Sequence, residues 1–150
     1  MTTPPRGSRP EPAAVTAAGG LHHLELWVPD LSGALQPWGW LLGELGWLPY
    51  QDWPAGRSWR RGATYLVLEQ SPALSRGAHD RLAPGLNHLA FAVGGRAEVD
   101  RLADAAPAHG WALLFSDRHP HAGGPDSYAA YLEDGYGYEV ELVADPPDDV

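Results

Sequence analysis

The chain has 150 residues, of which 44% are hydrophobic and none is cysteine, and its formal net charge is −9. This size and composition favour one folded domain in a reducing compartment, which we expect to be the cytoplasm, and they leave only nitrogen and oxygen donors for a metal ion. The acidic charge and the lack of a long apolar stretch argue against nucleic acid and membranes as partners.

Both ends of the chain are predicted to be tails. Residues 1–19 are rich in Pro, Ala, Thr and Arg without periodicity, which is typical of a flexible segment, and residues 145–150 form a short acidic end. The folded domain is therefore expected to run from residue 20 to residue 144.

Two stretches of this domain resemble each other. The sequence GLHHL at 20–24 returns as GLNHL at 85–89, which places His23 and His88 65 residues apart. A Gly-Trp pair at 46–47 returns at 110–111 with nearly the same offset. Two landmarks at nearly the same spacing indicate an internal duplication.

Each half is predicted to contain a strand, a helix and three further strands. In the first half, residues 20–70, the strands are expected at 21–28, 47–53, 57–61 and 63–70, with a helix inside 31–45. A linker over 71–84 leads to the second half, residues 85–144, with strands at 86–93, 112–116, 127–133 and 138–143 and a helix at 97–109. Asp30 is a candidate cap for the first helix. Pro37 either marks where the regular helix begins or bends it, because proline removes a backbone donor.

Alternation along the first strand separates a polar face from an apolar one. His23, Glu25 and Trp27 share one face, and the residues between them are mostly apolar and would pack beneath the helix. In the second half His88 holds the position equivalent to His23. Both repeated histidines are therefore expected to point away from the helix layer.

The last strand adds carboxylates to this set. Glu139 and Glu141 share a face, and acidic side chains between apolar strand residues need water or a cation to receive them. Two imidazoles and one carboxylate are a familiar set for a divalent metal with open coordination positions. We therefore predict a metal site made by His23, His88 and Glu141, for which Zn, Ni, Co, Mn and Fe(II) all fit.

These stretches together resemble a known superfamily. LHHLELWVPDL at 21–31, GLNHLAF at 85–91 and EDGYGYEVELV at 133–143 are similar to the vicinal oxygen chelate superfamily, which includes glyoxalase I, extradiol dioxygenases and bleomycin-binding proteins. The resemblance covers residues 20–144. It implies an α+β fold of two tandem βαβββ modules whose curved mixed sheets form a cup around a metal, with His23, His88 and Glu141 at the ligand positions.

The resemblance also raises the question of a fourth ligand. The glyoxalase and epimerase branches supply one from the last strand of the first half, where Glu69 is our choice and Gln70 the alternative, because a one-residue slip exchanges the faces. Three ligands would instead resemble the dioxygenase arrangement. Glu69 and Glu141 are the candidate catalytic carboxylates, and Glu25 is a less favoured base.

Other residues are weaker candidates. Trp27, Arg57 and Tyr128 are predicted to contact substrate. Six of the seven tryptophans lie between Trp27 and Trp59, where they either pack in the core or form an aromatic wall around a ligand. Loop residues His119 and His121 are a possible lid, and the remaining histidines are interpreted as structural or exposed, namely His22, His79 and His109.

The resemblance implies a metal-dependent enzyme. A small substrate with two neighbouring oxygens would chelate the metal, which would act as a Lewis acid and stabilise enolate-like charge in an isomerase, lyase or oxygenase reaction. The alternative is a metal-free protein of the bleomycin-resistance type that sequesters a drug or metabolite. Because both modules lie in one chain, the cup could close within a monomer or across a swapped dimer, and we expect a homodimer.

Overall fold

The computed structural model describes residues 18–75 and 77–145. Most of both predicted tails, residues 1–17 and 146–150, lies outside the described residues. Within the part that is described, no helix is both long and apolar enough to cross a membrane.

The described residues form eight strands and two α-helices in the predicted βαβββ order, repeated once. The first half contains β1 (His23–Trp27), α1 (Leu31–Glu44), β2 (Leu48–Trp53), β3 (Gly56–Arg61) and β4 (Thr64–Glu69). The second half contains β5 (His88–Gly94), α2 (Arg96–Ala105), a short 3₁₀ helix (Ala106–His109), β6 (Ala112–Leu114), β7 (Ala129–Glu133) and β8 (Glu139–Ala144). The prediction of an α+β fold built from two βαβββ modules is confirmed.

The two halves form two four-stranded sheets with the same topology. Sheet 1 has the order β1-β4-β3-β2 and sheet 2 the order β5-β8-β7-β6. The β1–β4 and β5–β8 pairs are parallel, and the other pairs are antiparallel. His23 lies opposite Tyr65 on β4, and His88 lies opposite Glu139 on β8. The repeated sequence therefore occupies equivalent positions in two equivalent sheets.

Helix α1 begins six residues before its proline. Leu31, Ala34, Trp38 and Leu41 are buried at the three- and four-residue spacing of a helix packed on a sheet. Pro37 lies inside the helix, so the interpretation that regular helix begins at Pro37 is wrong.

The start of α1 is capped by Gln70, the residue after β4, rather than by its own N-cap residue. Asp30 holds the N-cap position but makes no side-chain capping hydrogen bond. Its carboxylate accepts instead from the Tyr136 hydroxyl at 3.2 Å. The Leu31 amide donates to Gln70 Oε1 at 2.9 Å, which satisfies one of the free donors at the helix start.

Both halves share one hydrophobic core. Trp38 of α1 packs edge-on against Trp111 of the second half, with ring centroids 5.1 Å apart, and the Trp111 indole donates to the Pro37 carbonyl at 3.0 Å. The apolar, helix-facing side chains of both sheets belong to this single cluster. The faces that carry His23 and His88 therefore turn away from the core, and we call them the cup faces.

The first strands of the two sheets lie beside each other. The Tyr138 hydroxyl donates to the Trp27 carbonyl at 2.6 Å, which places the end of β1 beside the start of β8. At its other end, Leu21 and Leu24 line one groove together with residues 89–91 of β5. The β1 and β5 strands thus run in opposite directions, and no backbone hydrogen bond joins them within the described ranges. We call the gap between them the seam.

Candidate functional site

The cup face of sheet 2 holds a histidine and a glutamate in contact. His88 Nε2 lies 3.2 Å from Glu141 Oε2, and Tyr131 donates its hydroxyl to Glu141 Oε1 at 2.7 Å. On the other side of the imidazole, His88 Nδ1 lies 2.7 Å from Asn87 Oδ1. If Nδ1 carries the proton, Nε2 presents its lone pair towards Glu141, which is the form that binds a metal.

An arginine neutralises the other carboxylates of this face. Arg81, from the segment between the halves, lies 3.0 Å from Glu133 Oε2 and 2.9 Å from Glu139 Oε2. Burial raises the pKa of Glu139, and the charge of Arg81 opposes that rise. Because Arg81 is occupied by these two carboxylates, Glu141 stays available to His88 or to a cation.

The cup face of sheet 1 holds His23 against its own neighbours. The His23 ring stacks on Tyr65 with centroids 4.8 Å apart, and His23 Nδ1 lies 2.9 Å from His22 Nδ1. In the ranges 18–75 and 77–145, no three His, Asp or Glu side chains form a group that could hold a metal ion. The structure therefore does not bring His23 to the pair of His88 and Glu141, and their shared role as ligands stays a prediction.

Two carboxylates lie near the end of β1. Glu25 accepts a hydrogen bond from the Trp27 indole at 2.8 Å, and Glu69 lies opposite Trp27 on β4. Loss of solvation raises the pKa of Glu69, and the hydrogen bond and negative charge of Glu25 raise it further. A carboxyl group with a raised pKa is a candidate proton carrier.

The register of the two sheets gives Glu141 a counterpart in the first half. Glu25 lies opposite Val67, and Ala90, its repeat equivalent, lies opposite Glu141. Val67 is thus the counterpart of Glu141, whereas Glu69 lies two residues further on, roughly 7 Å along the strand. The alternative ligand Gln70 is held at the helix start, where its side chain accepts from the Leu31 amide.

Of the three predicted substrate contacts, only Trp27 lies on a cup face. Arg57 lies opposite the fully buried Leu68, so it is on the helix-facing side, where it pairs with Asp52 at 3.1 Å. Tyr128 donates its hydroxyl to Asp100 of α2 at 2.7 Å. The structure therefore does not bring Arg57 or Tyr128 together with the candidate ligands.

Three further histidines make local contacts. His79 Nε2 lies 2.8 Å from the Leu86 carbonyl, and its ring stacks on Tyr138. His109 stacks on Trp40, and His121 Nδ1 lies 2.7 Å from the Ser127 carbonyl. These contacts give the three imidazoles roles in packing and loop structure.

Sequence reasoning missed Tyr131 and Arg81. Tyr131 alternates with Ala129 and Glu133 along β7, so its place opposite Glu141 was readable once the register of β7 and β8 was known. Arg81 lies in a segment without periodicity, and nothing in the local sequence indicates its two carboxylate partners.

Comparison with known proteins places this geometry in a family. Residues 22–131 match the family model described as the Glyoxalase/Bleomycin resistance protein/Dioxygenase superfamily. The uncharacterized protein YqjT of Bacillus subtilis (strain 168) is 44% identical over 126 residues, which cover 83% of this chain and 98% of YqjT.

Solved structures agree with this match. The crystal structure of a candidate glyoxalase from Bacillus halodurans has 43% sequence identity and a TM-score of 0.81, and the similarity covers 85% of this chain and 97% of that one. A glyoxalase/bleomycin resistance protein from Albidiferax ferrireducens T118 has 23% identity and a TM-score of 0.68 over 84% of this chain and 98% of that one. The second likeness shows the fold alone.

Proposed function

Because the chain belongs to the Glyoxalase/Bleomycin resistance protein/Dioxygenase superfamily, we propose that it is a metal-dependent enzyme that acts on a small oxygenated substrate. The observation that carries this proposal is the contact between His88 and Glu141, with 3.2 Å between Nε2 and Oε2. The reaction class is an isomerase, lyase or oxygenase reaction on a substrate that presents two neighbouring oxygens.

The donor atoms of His88 and Glu141 fit one divalent ion. Ligand atoms about 2.1 Å from the same ion lie roughly 3 Å apart at right angles, which is close to the observed separation. Asn87 and Tyr131 hydrogen-bond to the far sides of the imidazole and the carboxylate, as the partners of metal ligands commonly do. In this proposal His23 is the third ligand and reaches the ion by leaving its stack on Tyr65.

In the proposed reaction, the metal and the carboxylates of the cup faces have different roles. When bound, the metal supplies Lewis acidity that stabilises enolate-like negative charge on a chelating substrate. Glu69 is the proposed base, because a raised pKa makes its carboxylate a stronger proton acceptor. Glu25 stands beside it and favours the protonated form of Glu69 once the proton has been taken.

Metal analysis of purified protein tests this function. We expect the wild type to hold one equivalent of a divalent metal and the His88→Ala variant to hold much less. His119→Ala, in a loop outside the proposed ligand set, is the matched control and should keep the wild-type content. Equal metal content in the wild type and His88→Ala would remove the proposal.

A homodimer is proposed as the assembly. Leu48 and Tyr50 lie on β2, an outer strand of sheet 1, and these two residues are 69% and 47% exposed. Large apolar groups on an outer strand favour association with a second copy. Light scattering should give twice the chain mass, and Leu48→Glu should shift it to the monomer; a monomeric wild type would contradict this.

The cup face of sheet 1 also favours a second candidate function, metal-free sequestration of a cationic aromatic ligand. Trp27 is partly exposed beside the carboxylates of Glu25 and Glu69, and an indole next to negative charge suits an organic cation. Binding of bleomycin to chelator-treated protein, measured by calorimetry, would support this candidate. If bleomycin does not bind, and the purified protein holds metal before chelator treatment, the metal-dependent enzyme is the better description.

A further inference from the structure

A row of aromatic rings crosses the cup face of sheet 2, beginning at the candidate ligand His88. The His88 and Tyr131 rings meet edge to face with centroids 6.0 Å apart, and the Phe115 ring meets Tyr131 in the same way at 5.5 Å. Tyr131 lies opposite Glu141 on β8 and opposite Leu114, the residue before Phe115, on β6. Because neighbouring strands lie about 4.8 Å apart, the row extends roughly 10 Å from Glu141 towards the edge of the sheet.

The backbone turns Phe115 onto this face. Leu113 packs against the core, so simple alternation along the strand would direct Phe115 to the helix-facing side as well. Phe115 instead has a φ of 54°, in the left-handed region that residues with a side chain rarely adopt, and its ring packs on Tyr131. Backbone conformations of this kind cluster at sites that bind ligands.

An arginine lies over the outer ring of this row. The centre of the Arg118 guanidinium is 5.0 Å from the Phe115 ring centroid, and Arg118 is exposed. Among the described residues it forms no ion pair, and this includes Asp117 and Asp126 of its own loop. Arg81, which lies 6.0 Å from the same ring, is already held by two carboxylates. The Arg118 guanidinium is therefore the cation of this row that is available to an anion.

The loop that carries Arg118 packs against the candidate metal donors. A Cβ atom at Gly123 would lie 2.7 Å from the Tyr131 hydroxyl oxygen, so glycine is what lets the loop backbone pass this close. The same hydroxyl donates to Glu141. The loop thus spans the row, with Gly123 beside the hydroxyl that holds Glu141 and Arg118 over the outer ring.

We propose that Arg118 binds a carboxylate at the far end of the substrate, which lies along the aromatic row with its two neighbouring oxygens towards His88 and Glu141. This inference rests on the proposed function and names its substrate class, an oxygenated compound with a carboxylate roughly 10 Å from its chelating end. A guanidinium pairs with a carboxylate through two parallel hydrogen bonds, and the rings of Tyr131 and Phe115 contact the carbon chain in between.

Calorimetry with two acids of equal chain length tests the role of Arg118. The acids 2-oxosuberate and 2-oxooctanoate carry the same two neighbouring oxygens and differ only at the far end, which is a carboxylate in the first and a methyl group in the second. We expect the purified wild type to bind 2-oxosuberate about tenfold more tightly, because a charge-assisted pair is formed, and Arg118→Gln to bind both acids equally. Arg96→Gln is the matched control: Arg96 lies 5.0 Å from the Tyr128 ring centroid, outside the cup faces, and its loss should leave the preference unchanged.

The outcomes separate this inference from the proposed function. Failure of 2-oxosuberate to bind the purified wild type, equal affinities for the two acids, or a preference that survives in Arg118→Gln would each overturn the inference even if the protein holds metal. An equal loss of preference in Arg96→Gln would also overturn it, since net charge alone would then explain the effect. A preference that only Arg118→Gln abolishes, in protein that holds no metal, would uphold the carboxylate site and remove the metal-dependent enzyme.

Discussion

The indole of Trp38 in α1 donates a hydrogen bond of 2.8 Å to Asp134 Oδ2 in the turn before β8, 96 residues away. The other carboxylate oxygen of Asp134 accepts from the backbone amides of Tyr136 and Tyr138, each at 2.9 Å. One buried carboxylate therefore fixes the turn that leads into β8 and ties it to the helix of the other half. The position of Glu141 depends on this link.

Trp38→Phe should cost about 1–3 kcal/mol in the free energy of unfolding, because it leaves a buried carboxylate oxygen without a donor. Chemical denaturation followed by circular dichroism measures the change. Trp27→Phe, at a partly exposed indole, is the control and should stay within about 0.5 kcal/mol of the wild type. A cost for Trp38→Phe no larger than that of Trp27→Phe would show that the buried hydrogen bond to Asp134 does not stabilise the fold.

Asp134 should make stability depend on pH. Burial raises the pKa of Asp134 despite its three hydrogen bonds, so the folded protein holds the proton more tightly than the unfolded chain. The contribution of protonated Asp134 to the free energy of unfolding is fully present below the pKa of Asp134 in the unfolded chain, about 3.9. This contribution is lost as pH rises through the higher pKa of Asp134 in the folded protein.

The matched variant for this effect is Asp134→Asn, which does not titrate. We expect the unfolding free energy of the wild type, relative to that of Asp134→Asn, to fall as pH rises above about 4. Denaturation at a series of pH values checks the sign. A difference that is constant or grows with pH would contradict the assignment.

If the chain binds metal as proposed, Tyr131→Phe should weaken that binding by roughly 10–100-fold, because the hydroxyl that orients Glu141 is lost. Burial, followed by the hydrogen bond to Glu141, raises the pKa of Tyr131 to about 12, so it remains a donor at neutral pH. Competition with a chromophoric chelator measures the affinity. Tyr128→Phe, whose hydroxyl faces Asp100, should bind metal as the wild type does; equal losses in both would point to folding rather than to Glu141.

Glu25→Gln should lower the pKa of Glu69 towards its ordinary value, because a hydrogen-bonded negative neighbour is removed. The return should be partial, since loss of solvation is the largest cause of the shift and remains. Carbon-13 NMR titration of the side-chain carboxyl resolves the change. Glu98→Gln, on α2 beside Arg101, serves as the control, and an unchanged Glu69 in Glu25→Gln would show that the two carboxylates do not interact.

Local patterns in the sequence predicted the features that depend on residues close together in the chain. The offset between His23 and His88 and the alternation along their strands predicted both βαβββ modules and the faces of β1 and β5, because each signal lies within a few residues. The same test applied to β3 would have placed Arg57 with the buried Trp59, on the helix-facing side. Applied to β7, it would have placed Tyr128 with Leu132.

Contacts between distant segments were beyond prediction. The bond from Trp38 to Asp134 and the pairing of Arg81 with Glu139 join residues whose neighbours in sequence carry no sign of the partner. To identify the counterpart of Glu141, one must know the register of β4 against β1, because that register decides between Val67 and Glu69. Loop geometry sets this register, and the sequence of the strands alone does not give it.

The asymmetry between Val67 and Glu141 makes coordination number an evolvable property of this duplicated fold. Valine and glutamate codons can differ in the middle base alone, so a single point mutation would give the two halves equivalent donors and take the proposed set from three protein ligands to four. Because the number of open positions on a metal governs which substrates and oxidants it accepts, a lineage built on this scaffold could change its reaction class without moving its backbone.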